Sequence, residues 1–383
     1  EAPYTAVSID YKFDKKEENT TQDYRRRIKR KLFSGILKNR LDELTKASEP
    51  PFIYVTAYFN DMVLTKDGFR LFAVVNDDDI IKGVQTLLIE GQRLNRHGFT
   101  KTELEREKKQ VLREIQKAFD EREKTESRSF VREYVSNFLS GEPIPGIASE
   151  LEMHKTFLPN ISMEEINEFS HLYMKDFNRV VSVRAPKKEG INIPTESEIL
   201  NIFDEVKNIP ISPYVDAVSD EPLIAVLPDP GKMLSEKIYS SVGITEWIMD
   251  NGVRVLLKPT DFKNDEILFK AYSPGGTSLA GDKDFLSAYL ATDIISESGI
   301  GNFSSIQLEK KLSGEIVNVT PYITELYEGL RGSASPQDIE TLFQLIFLHI
   351  TAARLDSSAY NSFLTRTSGW LENWKSRPES VFQ

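Results

Sequence analysis

The sequence predicts an α+β protein of two sandwich units, each with helices packed on one face of a mostly antiparallel sheet. Three observations lead there. Stretches of alternating apolar residues are interleaved with long stretches of helical period. The first half runs strand, helix, two strands, helices, strand, an order that places helices on one sheet face. The chain has 383 residues, 40% of them hydrophobic, which exceeds what one compact domain usually holds. The expected division is a first unit over 1–186, a linker over 187–220 and a second unit over 221–383.

Val7, Ile9, Tyr11 and Phe13 alternate with polar residues and predict the first strand. A helix follows from Thr21 to Ala47, with Leu32, Ile36, Leu37, Leu41 and Leu44 at helical spacing and Thr20 or Thr21 as cap. Ile53 to Phe59 and Phe69 to Val75 alternate, and Lys66-Asp67-Gly68 between them reads as the turn. Two helices are expected next, Asp79 to Arg96 and Thr102 to Leu139, divided at His97-Gly98 and with Thr100 or Thr102 capping the second. Ser162 to Phe177 reads as a helix leading into the strand Val180 to Val183. Residues 187–220 hold Pro194, Pro210 and Pro213 with many charges, so they read as a partly ordered connection carrying one short helix near Ile199 to Val206.

The second half opens on a hairpin, Glu246 to Leu257, with Asn251-Gly252 suited to a type I′ turn. Ile267, Phe269 and Ala271 alternate. Phe285 to Ser298 reads as a helix stopped by Gly299, and Ser304 or Ser305 caps another. Leu286, Leu290 and Ile294 lie at four-residue steps and predict an apolar face of that first helix toward the sheet. Two strands, Ile316 to Val319 and Ile323 to Leu330, precede two helices, Pro336 to Arg354 and Asp356 to Lys375. No closing strand comparable to Val180–Val183 follows, so this unit reads as C-terminally truncated. The opening Glu-Ala-Pro-Tyr without an initiator Met, and an end at Arg377 to Gln383 without a closing element, read as a piece of a longer protein. A processed mature protein is the alternative.

Composition narrows the function classes. Net charge is −11, opposite to the balance of a protein built to grip nucleic acid. There is no cysteine, which removes disulfides, thiol nucleophiles and Cys-ligated zinc. No apolar run approaches the roughly 20 residues of a bilayer span. The basic run Arg25 to Lys31 lies on a helix whose other face is apolar and follows acidic Asp14, Glu17 and Glu18, so it reads as a solvated, locally balanced face rather than a phosphate grip. The histidines His97, His154, His171 and His349 form no local pair. Gly275-Gly276 lacks the order of a phosphate loop and is assigned to a turn.

Tyr289-Leu-Ala-Thr-Asp293 follows the hairpin and the Gly-Gly turn. Trp247 to Leu257, Gly275-Gly-Thr-Ser278 and the helix bearing Tyr289 resemble the start of a homologous unit of the pitrilysin/insulinase (inverzincin) family of zinc metallopeptidases. Leu32 to Leu41 followed by Ile53 to Tyr58 resembles that family's non-catalytic second unit. In such units the helix after the Gly-Ser/Thr turn carries H-x-x-E-H, whose two imidazoles hold zinc while the Glu activates water. Here Tyr289, Thr292 and Asp293 stand at the motif positions. The resemblance therefore implies a second unit plus a degenerate third unit, with no catalytic, cofactor or metal residue in this chain and with zinc bound upstream in the parent. It also implies partners: the remaining units of the same polypeptide and a peptide substrate, with neither nucleic acid nor a membrane span. The implied function is a chamber-wall segment of a bacterial zinc metalloendopeptidase, with a metal-free scaffold subunit as the alternative. The implied compartment is the periplasm, with the cytoplasm left open.

Overall fold

The computed structural model describes residues 2–374 and Ser380. The chain opens with β1 (Ala6–Asp14), α1 (Thr21–Leu44), and the hairpin of β2 (Tyr54–Val63) and β3 (Lys66–Val74). There follow α2 (Ile80–His97), α3 (Lys101–Asp120), α4 (Ser127–Ser140), α5 (Ile147–Phe157), α6 (Met163–Tyr173) and β4 (Arg179–Arg184). The first sheet has the order β2-β3-β1-β4, antiparallel throughout. Its core joins Val7, Ile9 and Tyr11 of β1 to Leu32, Phe33 and Leu37 of α1 and to Leu87 of α2. Each such side chain contributes roughly 1.5–3 kcal/mol through burial.

Local chemistry explains where the helices begin. Thr20 receives the Asp23 N–H while the Asp23 carboxylate receives the Thr20 N–H. This capping box satisfies two otherwise unpaired donors. Thr100 and Ser162 cap α3 and α6 in the same way. Inside the first unit Arg40 grips Glu103 through two hydrogen bonds of 2.5 and 2.7 Å, with side chains only 1% and 5% exposed. Arg40 also donates to the Gly98 carbonyl at 3.0 Å.

The connection is more deeply built in than its prolines and charges predict. The helix expected near Ile199 to Val206 is α7 (Glu196–Asn208), opened by a further capping box at Thr195. Its Ile202, Phe203 and Val206 enter the first unit's core against α2. Beyond it, Arg93, Arg96 and His97 bond the carbonyls of Ser212, Ile209 and Ile211 at 2.7–2.8 Å. Asp216 then accepts both guanidinium nitrogens of Arg106, at 2.8 and 2.9 Å, and pairs with Lys310 at 3.1 Å. Burial pushes the Asp216 carboxyl up, but hydrogen bonds from Arg106, Thr102 and Lys310 outweigh it and hold the group at about 2.

The second half contains β5 (Met233–Tyr239), β6 (Ile244–Met249), β7 (Arg254–Leu257), β8 (Ile267–Pro274), α8 (Phe285–Ser298), α9 (Ser305–Lys311), β9 (Val317–Ile323), β10 (Tyr327–Ala334), α10 (Ile339–Thr351) and α11 (Ser357–Trp374). β5-β6-β7 is a sheet of its own, and β8-β10-β9 is another. The expected end of the last helix at Lys375 lies outside the described residues, as do Arg377 to Glu379 and Val381 to Gln383.

Four sequence expectations need correction. The β2–β3 turn is Leu64-Thr65, and Lys66, Asp67 and Gly68 already belong to β3, where they pair with Asp14, Phe13 and Lys12 of β1. The long helix expected over Thr102 to Leu139 is broken after Asp120. From Asp120 to Ser129 no apolar side chain is available to carry a buried stripe, and the Glu121 carboxylate turns to the N–H groups of Asn264 and Asp265 at 2.7 and 2.5 Å. The Asn251-Gly252 turn is not type I′, because only Gly252 has positive φ, at 85°. Bonds from Gly252 N–H to the Met249 carbonyl and from Met249 N–H to the Val253 carbonyl make it a three-residue loop closed by a left-handed glycine. Finally, the spacing of the two halves sets Val253 to Leu257 in the sheet that corresponds to that of Thr5 to Phe13, but β7 joins β5 and β6, apart from the sheet of β8. The sequence pattern gives no sign of α5 or β5.

Candidate functional site

The motif positions lie on α8, and the turn before that helix depends on glycine. Gly276 has φ 76°, and a Cβ there would sit 2.2 Å from the Thr324 carbonyl oxygen. The N–H groups of Gly275 and Thr277 donate to the carbonyls of Leu326 and Thr324, both at 2.9 Å, which ties the turn to the β9–β10 connection. α8 spans the residues predicted for it and stops at Gly299, where φ is 90°. It packs against β9 and α11.

Of the three side chains expected to face the sheet, Leu290 and Ile294 are half-buried, but Leu286 is 67% exposed. Tyr289 is 57% exposed and stacks on Phe285, with ring centroids 6.2 Å apart and planes 16° from parallel. The Thr292 carbonyl accepts the Ser296 hydroxyl at 2.7 Å. Asp293 is exposed. The phenol and the carboxylate share a helix face, as their spacing requires, yet the phenol meets Phe285 and not Asp293. A phenol, an alcohol and one carboxylate, with no imidazole among them, do not fit a zinc centre. Among the described residues no three His, Asp or Glu side chains converge on a possible metal position.

The histidines occupy separate elements. His97 ends α2 and bonds the Ile211 carbonyl at 2.7 Å. His154 is buried on α5 with its Nδ1 on the Glu150 carbonyl at 2.8 Å, and burial pushes its pKa down. Burial does the same to His349 on α10. His171 lies in the last turn of α6.

A second feature is invisible in the sequence. A cleft of about 980 Å³ opens at the end of the first sheet, between the β2–β3 turn, the start of α1 and the end of α4. Its floor holds Arg30, whose guanidinium lies 5.2–5.5 Å from the ring centres of Phe13, Phe59 and Tyr173. Arg30 pairs with buried Asp67 at 3.3 Å. Burial raises the Asp67 pKa against the pull of that cation. The rest of the basic run is neutralised as well. Arg25 and Lys29 meet Glu165, Arg26 meets Asp23, Arg27 meets Glu18 and Glu142, and Lys31 meets Glu114. The result is a charge-balanced groove with Tyr58 and Phe59 in its lining. No helix among the described residues is long and apolar enough to cross a membrane.

No family model matches the chain. It is 25% identical over 370 residues to a zinc protease PQQL-like protein of Arabidopsis thaliana, covering 96% of this chain and 35% of that protein. The crystal structure of a mutant of the ferredoxin protease FusC, in complex with Arabidopsis ferredoxin, aligns with 99% of the chain and 42% of its own at TM-score 0.60 and 17% identity. The periplasmic protease PqqL of Escherichia coli aligns with 99% of the chain and 42% of its own at TM-score 0.51 and 19% identity. Pitrilysin aligns with 98% of the chain and 39% of its own at TM-score 0.56 and 14% identity. The structural likenesses establish the fold, helices packed on antiparallel sheets, and the plant protein supplies the sequence similarity. The chain is thus similar over almost its whole length to PqqL-like zinc proteases, and it spans well under half the length of the proteins it matches.

Proposed function

We propose that this chain is a non-catalytic wall segment of a PqqL-like zinc metalloendopeptidase that encloses peptides or small proteins. The observation that carries the reading is the alignment itself: 96% of the chain falls on 35% of a zinc protease. The donor set at Tyr289, Thr292 and Asp293 supports it, since those side chains do not fit zinc, and Tyr289 and Asp293 stand exposed where the family motif would lie. On this reading residues 1–186 are the second unit of the parent, 187–220 connect, and 221–383 form most of a degenerate third unit. Zinc would be held upstream by other residues of the parent, where it would serve as a Lewis acid. This chain shapes the enclosure instead, through the balanced groove over Arg30 and the outer face of the first sheet. The PqqL of E. coli is a periplasmic protease, and a periplasmic setting is proposed for this protein.

The test is to express the polypeptide that includes the residues encoded upstream of Glu1. It should contain H-x-x-E-H and cleave an unstructured peptide or a small folded protein in a zinc-dependent way. The present chain alone should cleave neither. A longer polypeptide that lacks the motif and stays inert when zinc is supplied would replace this reading with the metal-free scaffold.

A further inference from the structure

The sheet of the second half repeats the first row by row. Val55, Ala73 and Val7 lie side by side in the first sheet, and Val317, Ala334 and Ile267 form the matching row in the second. The next rows are Ala57, Leu71 and Ile9 against Val319, Gly332 and Phe269. In the first sheet each row continues into β4, with Val183 beside Val7 and Val181 beside Ile9. In the second, among the described residues, the rows stop at Ile267 and Phe269 and β8 is an edge.

The backbone donors follow the same rule. Gly275 N–H donates to Leu326, so antiparallel alternation aims the N–H groups of Ser273, Ala271 and Phe269 at β10. Those of Tyr272, Lys270 and Leu268 point away from it. On β1, Lys12 N–H donates to Asn178 at 2.8 Å, so Lys12, Asp10 and Ser8 face β4 by the same alternation. Tyr272, Lys270 and Leu268 hold the corresponding places, with no strand beside them among the described residues. A row of open donors like this is a template for another strand.

The helices agree. α2 starts after Asp79 with Ile80, and α10 starts after Asp338 with Ile339. Counting from these starts, Val84 corresponds to Phe343 and Gly91 to Ile350. Val84 and Gly91 are buried on a helix that α6 and α7 cover. Phe343 is 57% exposed and Ile350 72%.

We propose that the β8 edge is the docking site for one further strand of the same longer polypeptide. It would run antiparallel to β8, place apolar side chains beside Ile267 and Phe269 as Val183 and Val181 do in the first sheet, and bring a flanking helix over Phe343 and Ile350. The relatives carry most of their length outside the matched span, which is the source of such a strand. The inference rests on the reading of the chain as a segment of a larger protease, and the assay below separates the two.

Amide hydrogen exchange is followed on this chain and on the polypeptide continued past Gln383 by its gene. In the chain alone, Leu268, Lys270 and Tyr272 should exchange fast while Phe269, Ala271 and Ser273 are protected. In the longer polypeptide the first three should slow by about 100-fold or more, as they become part of a buried ladder. Lys270→Pro removes one outward donor and no β10 bond. It should lower the Tm of the longer polypeptide by about 5 °C and leave that of the chain alone unchanged. Fast exchange at the three amides in the longer polypeptide overturns the proposal. So does protection in the chain alone that grows with concentration alongside a dimer in sedimentation, since the occupant is then a second copy. Peptide hydrolysis is scored separately: slowed exchange without hydrolysis removes the protease reading and leaves the docking edge standing.

Discussion

The first and second sheets share a strand order and a register, yet they differ in cover. Around β1 the chain supplies a neighbour on both edges and helices that bury Leu32, Phe33 and Leu87 almost completely. Around β8 the same topology carries thinner residues, such as Gly332 at the place of Leu71, and helices that leave Leu286 and Phe343 in solvent. The comparison teaches that the strand–helix–strand–strand order sets the register, while stability depends on the layers added afterwards. Among the described residues the first half has those layers in full and the second half only in part.

The largest effect that sharpens the contrast should come from the buried ion pair. Arg40→Ala leaves Glu103 charged and enclosed, which costs about 3–5 kcal/mol. Urea unfolding should show the loss in the transition that reports on the first unit. A loss under about 1 kcal/mol, the range of exposed pairs, would mean that water reaches the pair. Core truncation comes next. Leu32→Ala on α1 should cost about 2–5 kcal/mol, while Leu286→Ala at the exposed start of α8 should stay within about 0.5 kcal/mol. Equal losses at the two sites would break the comparison, because α8 would then be covered as α1 is.

Titration gives a third handle. Glu107 is buried, and burial, with a smaller push from the Glu114 charge, raises its carboxyl from 4.5 to about 7. Its folded-state pKa lies above its unfolded one, so its contribution is fully present below about pH 4.5 and is lost as pH rises through about 7. The loss across that window amounts to about 3 kcal/mol at roughly 1.36 kcal/mol per pKa unit. Glu107→Gln should flatten the stability profile between about pH 4.5 and 7 and stabilise the chain at about pH 8. An unchanged slope would place the titration elsewhere. The smallest expected effect is at the motif positions. The triple variant Tyr289→His, Thr292→Glu and Asp293→His should leave unfolding unchanged and create no peptidase, because the outer groups that orient ligands are missing too. Zinc-dependent hydrolysis of an unstructured peptide by that variant would show a dormant site.

Much of this is legible in residue order. The bounds of α8 follow from Gly299, which ends it, and α7 is marked by Thr195 and the spacing of Ile202 and Val206. The β2–β3 turn is misread because Lys66 and Asp67 look like turn residues until Asp14 and Arg30 claim them from distant parts of the chain. The break after Asp120 is present as a missing apolar stripe, hidden beneath strong helix formers. At the motif positions the residue types are clear in sequence, but their outward aim depends on how α8 meets β9 and α11. The groove over Arg30 cannot be read at all, since Phe13, Phe59 and Tyr173 come from β1, β2 and α6 and converge only in the folded chain.

The clasp at Asp216 bears on the order in which a ribosome would deliver this protein. Thr102 and Arg106 are synthesised before Asp216, so the connecting segment can fasten to the first unit while the second is still being translated. Lys310 arrives last and finds its carboxylate already held in place. The nascent chain thus sets its first half before the less covered second half emerges, which reduces the time when two incomplete sheets are exposed together.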